Sequence, residues 1–113
     1  MRRGDIVSVD LEPARGADKR RPAVVVSNDM ANATAPRLDR GVITVVPVTS
    51  NTERLFPFQV LLRGSETGLP RDSKAQAEQV RSIAIERVHG RLGVVPEARM
   101  RDIDEALRLH LAL

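Results

Sequence analysis

The chain has 113 residues, a formal charge of +3, no Cys, no Trp, no Tyr and two Phe. That length sustains one compact core, so residues 1–113 are read as a single domain, and the missing Cys excludes a disulfide scaffold or a thiolate metal site. No apolar stretch approaches the roughly 18 residues that span a bilayer, and the basic start Arg2-Arg3-Gly4-Asp5 leads into no signal segment, so a cytoplasmic location is expected.

Asp5 to Leu11 alternates, with Val7, Val9 and Leu11 on one face and Ser8 and Asp10 on the other. This is the period of a half-buried strand, which Pro13 and Gly16 end. Ala23 to Ser27 is a nearly continuous Val run and reads as a buried strand, followed by a polar loop over Asn28 to Arg40 that carries Pro36. Gly41 to Thr49 is β-branched apart from Pro47, which cannot donate to a ladder and predicts an edge position or a bulge. Phe58 to Arg63 gives another strand, Gly64 to Ser73 is a turn region, and Lys74 to Val80 alternates weakly. Ile83 to Gly93 reads as a helical turn followed by a strand around Val88 to Leu92. From Pro96 the pattern changes, with Met100, Ile103, Leu107 and Leu111 at helical spacing, Pro96 suited to a first helical position and Glu97 in the first turn. Five or six short strands and one terminal amphipathic helix predict a small twisted sheet closing toward a barrel.

The basic residues are 16 Arg against only Lys19 and Lys74. Arg suits phosphates and stacking, although a GC-rich genome would produce the same bias. Before residue 92 the chain carries 15 basic and 11 acidic side chains, and after it 3 and 4, so the positive surplus belongs to the β part. Scarce aromatics argue against recognition by rows of stacked bases. Any bound nucleic acid is held by guanidinium and polar groups.

Three polar features stand out. The segment Glu12 to Pro22 holds Arg15, Lys19, Arg20 and Arg21 between two strands, a phosphate clamp or else a solvated loop. Within it Arg21 is distinctive, because Pro22 holds it extended at the mouth of a buried strand. Thr49, Ser50 and Asn51 follow an apolar strand, where they would hydrogen-bond a phosphate oxygen or form a polar turn bonded to its own backbone. Arg71-Asp72-Ser73 and Glu78-Gln79-Val80-Arg81 surround a weak strand and also fit an Arg–carboxylate network. The only histidines are His89 and His110, without HExxH or carboxylate spacing for a metal, and His110 is expected to pack near the apolar stripe. No nucleophile elbow, phosphate-binding P-loop or dinucleotide fingerprint is present.

In order, these segments resemble the MazF/PemK family of toxin endoribonucleases. The likeness covers nearly the whole chain: Arg3-Gly4-Asp5-Ile6-Val7 with Asp10-Leu11, Pro13 and Gly16, then Arg21-Pro22, the Val strand and Ser27-Asn28-Asp29. It continues with Val48-Thr49, Gly68-Leu69, Asp72-Ser73 and Glu78-Gln79-Val80-Arg81-Ser82-Ile83, and closes with Arg91-Leu92-Gly93 and a helix bearing Asp104-Glu105-Ala106-Leu107. The resemblance implies a mainly β, SH3-like barrel of the CcdB/MazF type, with five to seven strands and a C-terminal α-helix. It further implies a homodimeric toxin that cuts single-stranded RNA (messenger, ribosomal or transfer RNA) sequence-specifically, at short sequences, without metal or other cofactor, and that is silenced by a cognate antitoxin protein.

By the same resemblance Arg21 and Thr49 match the family's catalytic Arg and Thr, while Arg15, Lys19, Arg20, Ser50, Asn51, Ser73, Glu78, Gln79 and Arg81 are RNA-binding candidates. The expected reaction is attack by the 2′-OH on its neighbouring phosphate, leaving a 2′,3′-cyclic phosphate and a 5′-OH. Two other functions compete: a CcdB-like gyrase poison, against which the missing Trp near the C-terminus counts, and a non-catalytic RNA-binding barrel.

Overall fold

The computed structural model describes residues 1–11 and 20–113. These form β1 (Asp5–Asp10), β2 (Arg20–Val25), α1 (Asp29–Thr34), β3 (Val42–Thr49), β4 (Gln59–Leu62), α2 (Gly64–Thr67), β5 (Ser73–Gln76), β6 (Arg81–Ala84), β7 (Val88–Val94) and α3 (Glu97–Leu111). All pairings are antiparallel, in the order β4-β5-β3-β2-β1-β7, with β6 also paired to β3. The mainly β fold with a terminal helix is the expected one, at the upper end of the expected strand number.

β3 organises the sheet. One side pairs with β2, while the other pairs first with β6 along Val42–Val45 and then with β5 at Val48–Thr49. Pro47 falls between those two partners, so the expectation of an edge strand does not hold. β3 is central, and the Pro sits where the ladder already changes partner and a missing donor is tolerated.

Residues of opposite parity along the strands enter two different cores. Ile6, Val24, Val46, Val48 and Leu62 join Met100 and Ile103 beneath α3. Val7, Val9, Ala23, Val25, Ile43, Val45 and Ile83 form the second core on the other side. A strand buried on both faces needs apolar residues at every position, which is why the Val runs lack alternation. β1 is accordingly more buried than its alternation predicts, because Ile6 is fully covered as well as Val7 and Val9.

Two segments read as loop or turn contain helix. Asn28 caps α1 by accepting from the Ala31 amide at 2.8 Å, and the buried Asn32 side chain donates to the Ser27 carbonyl at 2.8 Å. Six residues with no apolar stripe give no helical periodicity to detect. Similarly, α2 is a single turn, ended by Gly68 at φ +87°.

α3 starts one residue later than expected, with Pro96 at the N-cap rather than the first helical position. It buries Met100, Ile103 and Ala106, whereas Leu109, Leu111 and Leu113 remain exposed. Arg3 ties the helix to the start of the chain: its guanidinium pairs with Asp104, its Nε donates to the Val26 carbonyl at 2.9 Å, and its amide donates to Asp29 at 2.6 Å. His110 is not packed into the stripe as expected. It lies exposed near the helix end with its ring tilted against Phe58, 6.4 Å between centroids.

Candidate active site

The register of β2 on β3 pairs Ala23 with Pro47, Val24 with Val46 and Val25 with Val45. Continued by two residues, it brings Arg21 opposite Thr49. Both side chains line one cleft of about 580 Å³, shared with Pro22, Ser50, Ser73, Gln79 and Arg81. The lining also includes Arg71 but no Asp or Glu, so among the described residues this is a cleft with three guanidiniums and no carboxylate. An anion is the complementary ligand.

Each neighbour is positioned by local chemistry. Arg21 follows the direction that Pro22 imposes, and its guanidinium donates to the Arg20 carbonyl at 2.9 Å. Thr49 closes β3, and its hydroxyl oxygen accepts from the Asn51 amide at 3.2 Å, which leaves the hydroxyl proton for another acceptor. Ser50 is exposed on the cleft wall, and Ser73 is buried there with its hydroxyl donating to the Arg71 carbonyl at 3.2 Å.

Other expected site residues lie elsewhere or serve the frame. Asn51 is outside the lining, where its side-chain oxygen accepts from the Glu53 amide at 3.2 Å, the turn reading of that segment. Glu78 is also outside it. One of its oxygens accepts from Gln59 at 2.7 Å, and the other is buried without a hydrogen-bond partner among the described residues. Arg20 is exposed beyond the cleft, opposite Asp10 in the β1–β2 register. Arg15 and Lys19 fall outside the described residues. No Arg71–Asp72 network is formed, because Asp72 instead accepts from the Gly64 amide at 2.9 Å and closes the α2 turn.

Neither His lines the cleft. His89 pairs with Asp10 at 2.7 Å, and this hydrogen bond holds the Asp10 carboxyl below its ordinary value, helped by Arg20 and Arg87. Among the described residues no group of three or more His, Asp or Glu is placed to hold a metal ion.

The family model described as "PemK-like, MazF-like toxin of type II toxin-antitoxin system" matches residues 2–111. The chain belongs to this toxin family. Endoribonuclease MazF9 of Mycobacterium tuberculosis is 64% identical over 115 residues, which cover 100% of this chain and 98% of that protein. Endoribonuclease MazF of Staphylococcus saprophyticus is 28% identical, over 100% of this chain and 92% of that one. Among solved structures, MazF from Deinococcus radiodurans superposes with a TM-score of 0.78 at 25% identity, covering 100% of this chain and 97% of that chain. A mycobacterial endoribonuclease in complex with its cognate antitoxin gives the same TM-score and identity, covering 100% and 96%.

Within this MazF-like cleft, Leu11, Leu69, Pro70, Arg71 and Gln76 are not among the expected site residues, although Asp10-Leu11, Gly68-Leu69 and Arg71-Asp72-Ser73 stand out in the sequence. Pro70 and Gln76 carry no motif of their own. Only the turn at Gly68 and the switch from β6 to β5 along β3 bring them beside Thr49.

Proposed function

We propose that this chain, as one domain over residues 1–113, is a toxin endoribonuclease that cuts single-stranded RNA and thereby inhibits translation and growth. The single observation that carries the reading is the convergence of Arg21 and Thr49, from adjacent strands, in a cleft lined by cations. RNA brings its own nucleophile, the 2′-OH beside the scissile phosphate. The protein therefore needs only to hold the in-line geometry and stabilise the charge that develops on phosphorus.

Arg21 donates its fork of N–H groups to the phosphorane oxygens, and the Thr49 hydroxyl adds a hydrogen bond to the same group. A guanidinium with a pKa above about 12 keeps its proton, so Arg21 acts electrostatically rather than as an acid or base. Ser50, Gln79 and Arg81 bind the strand on either side, joined by Ser73 on the cleft wall and by Arg15, Lys19 and Arg20 where the RNA backbone runs toward the basic segment. Glu78 acts indirectly by fixing Gln59, and Asn51 by shaping the turn after Thr49. The products are a 2′,3′-cyclic phosphate and a 5′-OH.

The working form is a cytoplasmic homodimer. It is neutralised by an antitoxin whose acidic, partly apolar segment orders as it occupies the cationic cleft. The deciding experiment incubates the protein with a long single-stranded RNA in EDTA and maps the ends. Cleavage with cyclic-phosphate and 5′-OH ends is expected, as is its loss when the 2′-OH at the cut is replaced by hydrogen. Binding without cutting across varied sequences would instead establish a non-catalytic barrel.

A further inference from the structure

The cleft has a second wall, on the far side of Thr49 from Arg21. β3 lies between β2, which carries Arg21, and β5, whose Lys74 is the partner of Thr49. There the lining is completed by Leu69, Pro70 and Arg71 from the turn that precedes β5 and by Gln76 at the end of β5. We infer that Leu69-Pro70-Arg71 is a stacking shelf for one unpaired base next to the cut, and that the Gln76 amide reads the edge of that base. This rests on the ribonuclease reading and adds to it the residues that select sequence.

The shelf is rigid. Gly68 turns the chain at φ +87°, the Leu69 amide donates to the Thr67 hydroxyl at 3.2 Å, and the Gly64 amide donates to Asp72 at 2.9 Å, which closes the loop on both sides of Pro70. Close approaches of α2 to its surroundings hold it in place: a Cβ on Gly93 would stand 2.2 Å from the Thr67 carbonyl oxygen, and one on Gly64 would stand 2.6 Å from that of Leu69. Leu69 is buried, Pro70 and Arg71 are exposed, and so the segment presents an apolar ring and a planar cation from a fixed backbone.

The polar groups on this wall are uncommitted. Among the described residues neither the Arg71 guanidinium nor the Gln76 amide makes a hydrogen bond or ion pair, whereas Ser73 and Asp72 nearby are both engaged. Gln76 is half-buried at the end of β5, which fixes its backbone through pairing with Gln59. A primary amide offers a donor and an acceptor side by side, the pattern that matches a base edge and that a phosphate, with acceptors only, does not require. The two Phe rings are elsewhere, stacked on each other at 5.4 Å and outside the cleft lining. Stacking here therefore falls to proline and guanidinium.

The test measures binding of the full-length protein to short single-stranded RNAs bearing 2′-methoxy groups throughout, with each base varied in turn, alongside wild-type cleavage of unmodified RNA. The wild type should prefer certain bases at one position next to the cut by about tenfold or more. Gln76→Met, which keeps the side-chain volume, should reduce that preference below about threefold while the other positions keep theirs. Arg71→Lys, which keeps the charge and loses the plane, should weaken binding by about threefold to tenfold at every sequence. Undiminished preference in Gln76→Met, or a wild type without preference, overturns the inference while cleavage still upholds the ribonuclease reading. A wild type that neither cuts nor binds removes both.

Discussion

At the scale of single residues, the cleft offers hydrogen-bond donors from Arg, Thr, Ser and Gln, and among the described residues no His, Asp or Glu lines it. Arg21→Ala is expected to lower the cleavage rate about 100-fold to 1,000-fold, the effect of removing one preorganised donor from a developing oxyanion. Thr49→Val should lower it less, and both variants should melt within a few degrees of the wild type, because neither side chain belongs to either core. Single-turnover kinetics with a defined RNA and a thermal melt would check both, and wild-type turnover by either variant would remove that residue from the catalytic pair. The Asp10–His89 pair gives a different prediction. Its carboxyl is held below the ordinary 3.8, mainly by the His89 hydrogen bond. The folded state thus gains stability that is complete above the unfolded value and is lost as the pH falls through the lower folded one. Asp10→Asn should flatten the acid limb of the melting temperature below about pH 5 and leave neutral cleavage in place.

At the scale of elements, β2, β3 and α3 are legible in the sequence because burial leaves a pattern there: continuous Val runs for strands covered on both faces, and a 3.6-residue period for a helix covered on one. α1, α2 and β6 are not legible. α1 rests on one Asn cap, α2 on a single turn, and β6 on pairing with a strand far earlier in the chain, Ile83 against Ile43. The site divides in the same way. Arg21 shows itself through Pro22, whereas Gln76 and Pro70 reach the cleft only through tertiary turns. The fit of α2 against β7 is testable at this scale. Gly93→Ala would drive a methyl into the Thr67 carbonyl, and urea unfolding should record a loss of about 2 kcal/mol or more. Ile103→Ala, which empties the fully buried centre of α3, should cost about 2–5 kcal/mol by the same measurement.

At the scale of the whole molecule, part of the exposed apolar surface lies along β4 and α3. Leu55, Phe56, Leu109 and Leu111 are all exposed, and a groove of about 570 Å³ between β4 and α3 includes Leu55 and Leu109. Such a patch on a small domain is suited to a second copy of the chain. Sedimentation should give twice the chain mass, and Phe56→Glu with Leu109→Glu should give a folded monomer. A monomeric wild type at micromolar concentration would contradict the dimer.

The place of β3 has one more consequence, for the order in which the protein is made. The residues of the cleft run from Leu11 to Arg81, β1 closes on β7, and the core beneath the site is filled by Met100 and Ile103. A chain still emerging from the ribosome therefore holds Arg21 and Thr49 without the strands and helix that fix them. The arrangement of Arg21 and Thr49 takes its final form only once β7 and α3 have been made and have closed on the sheet.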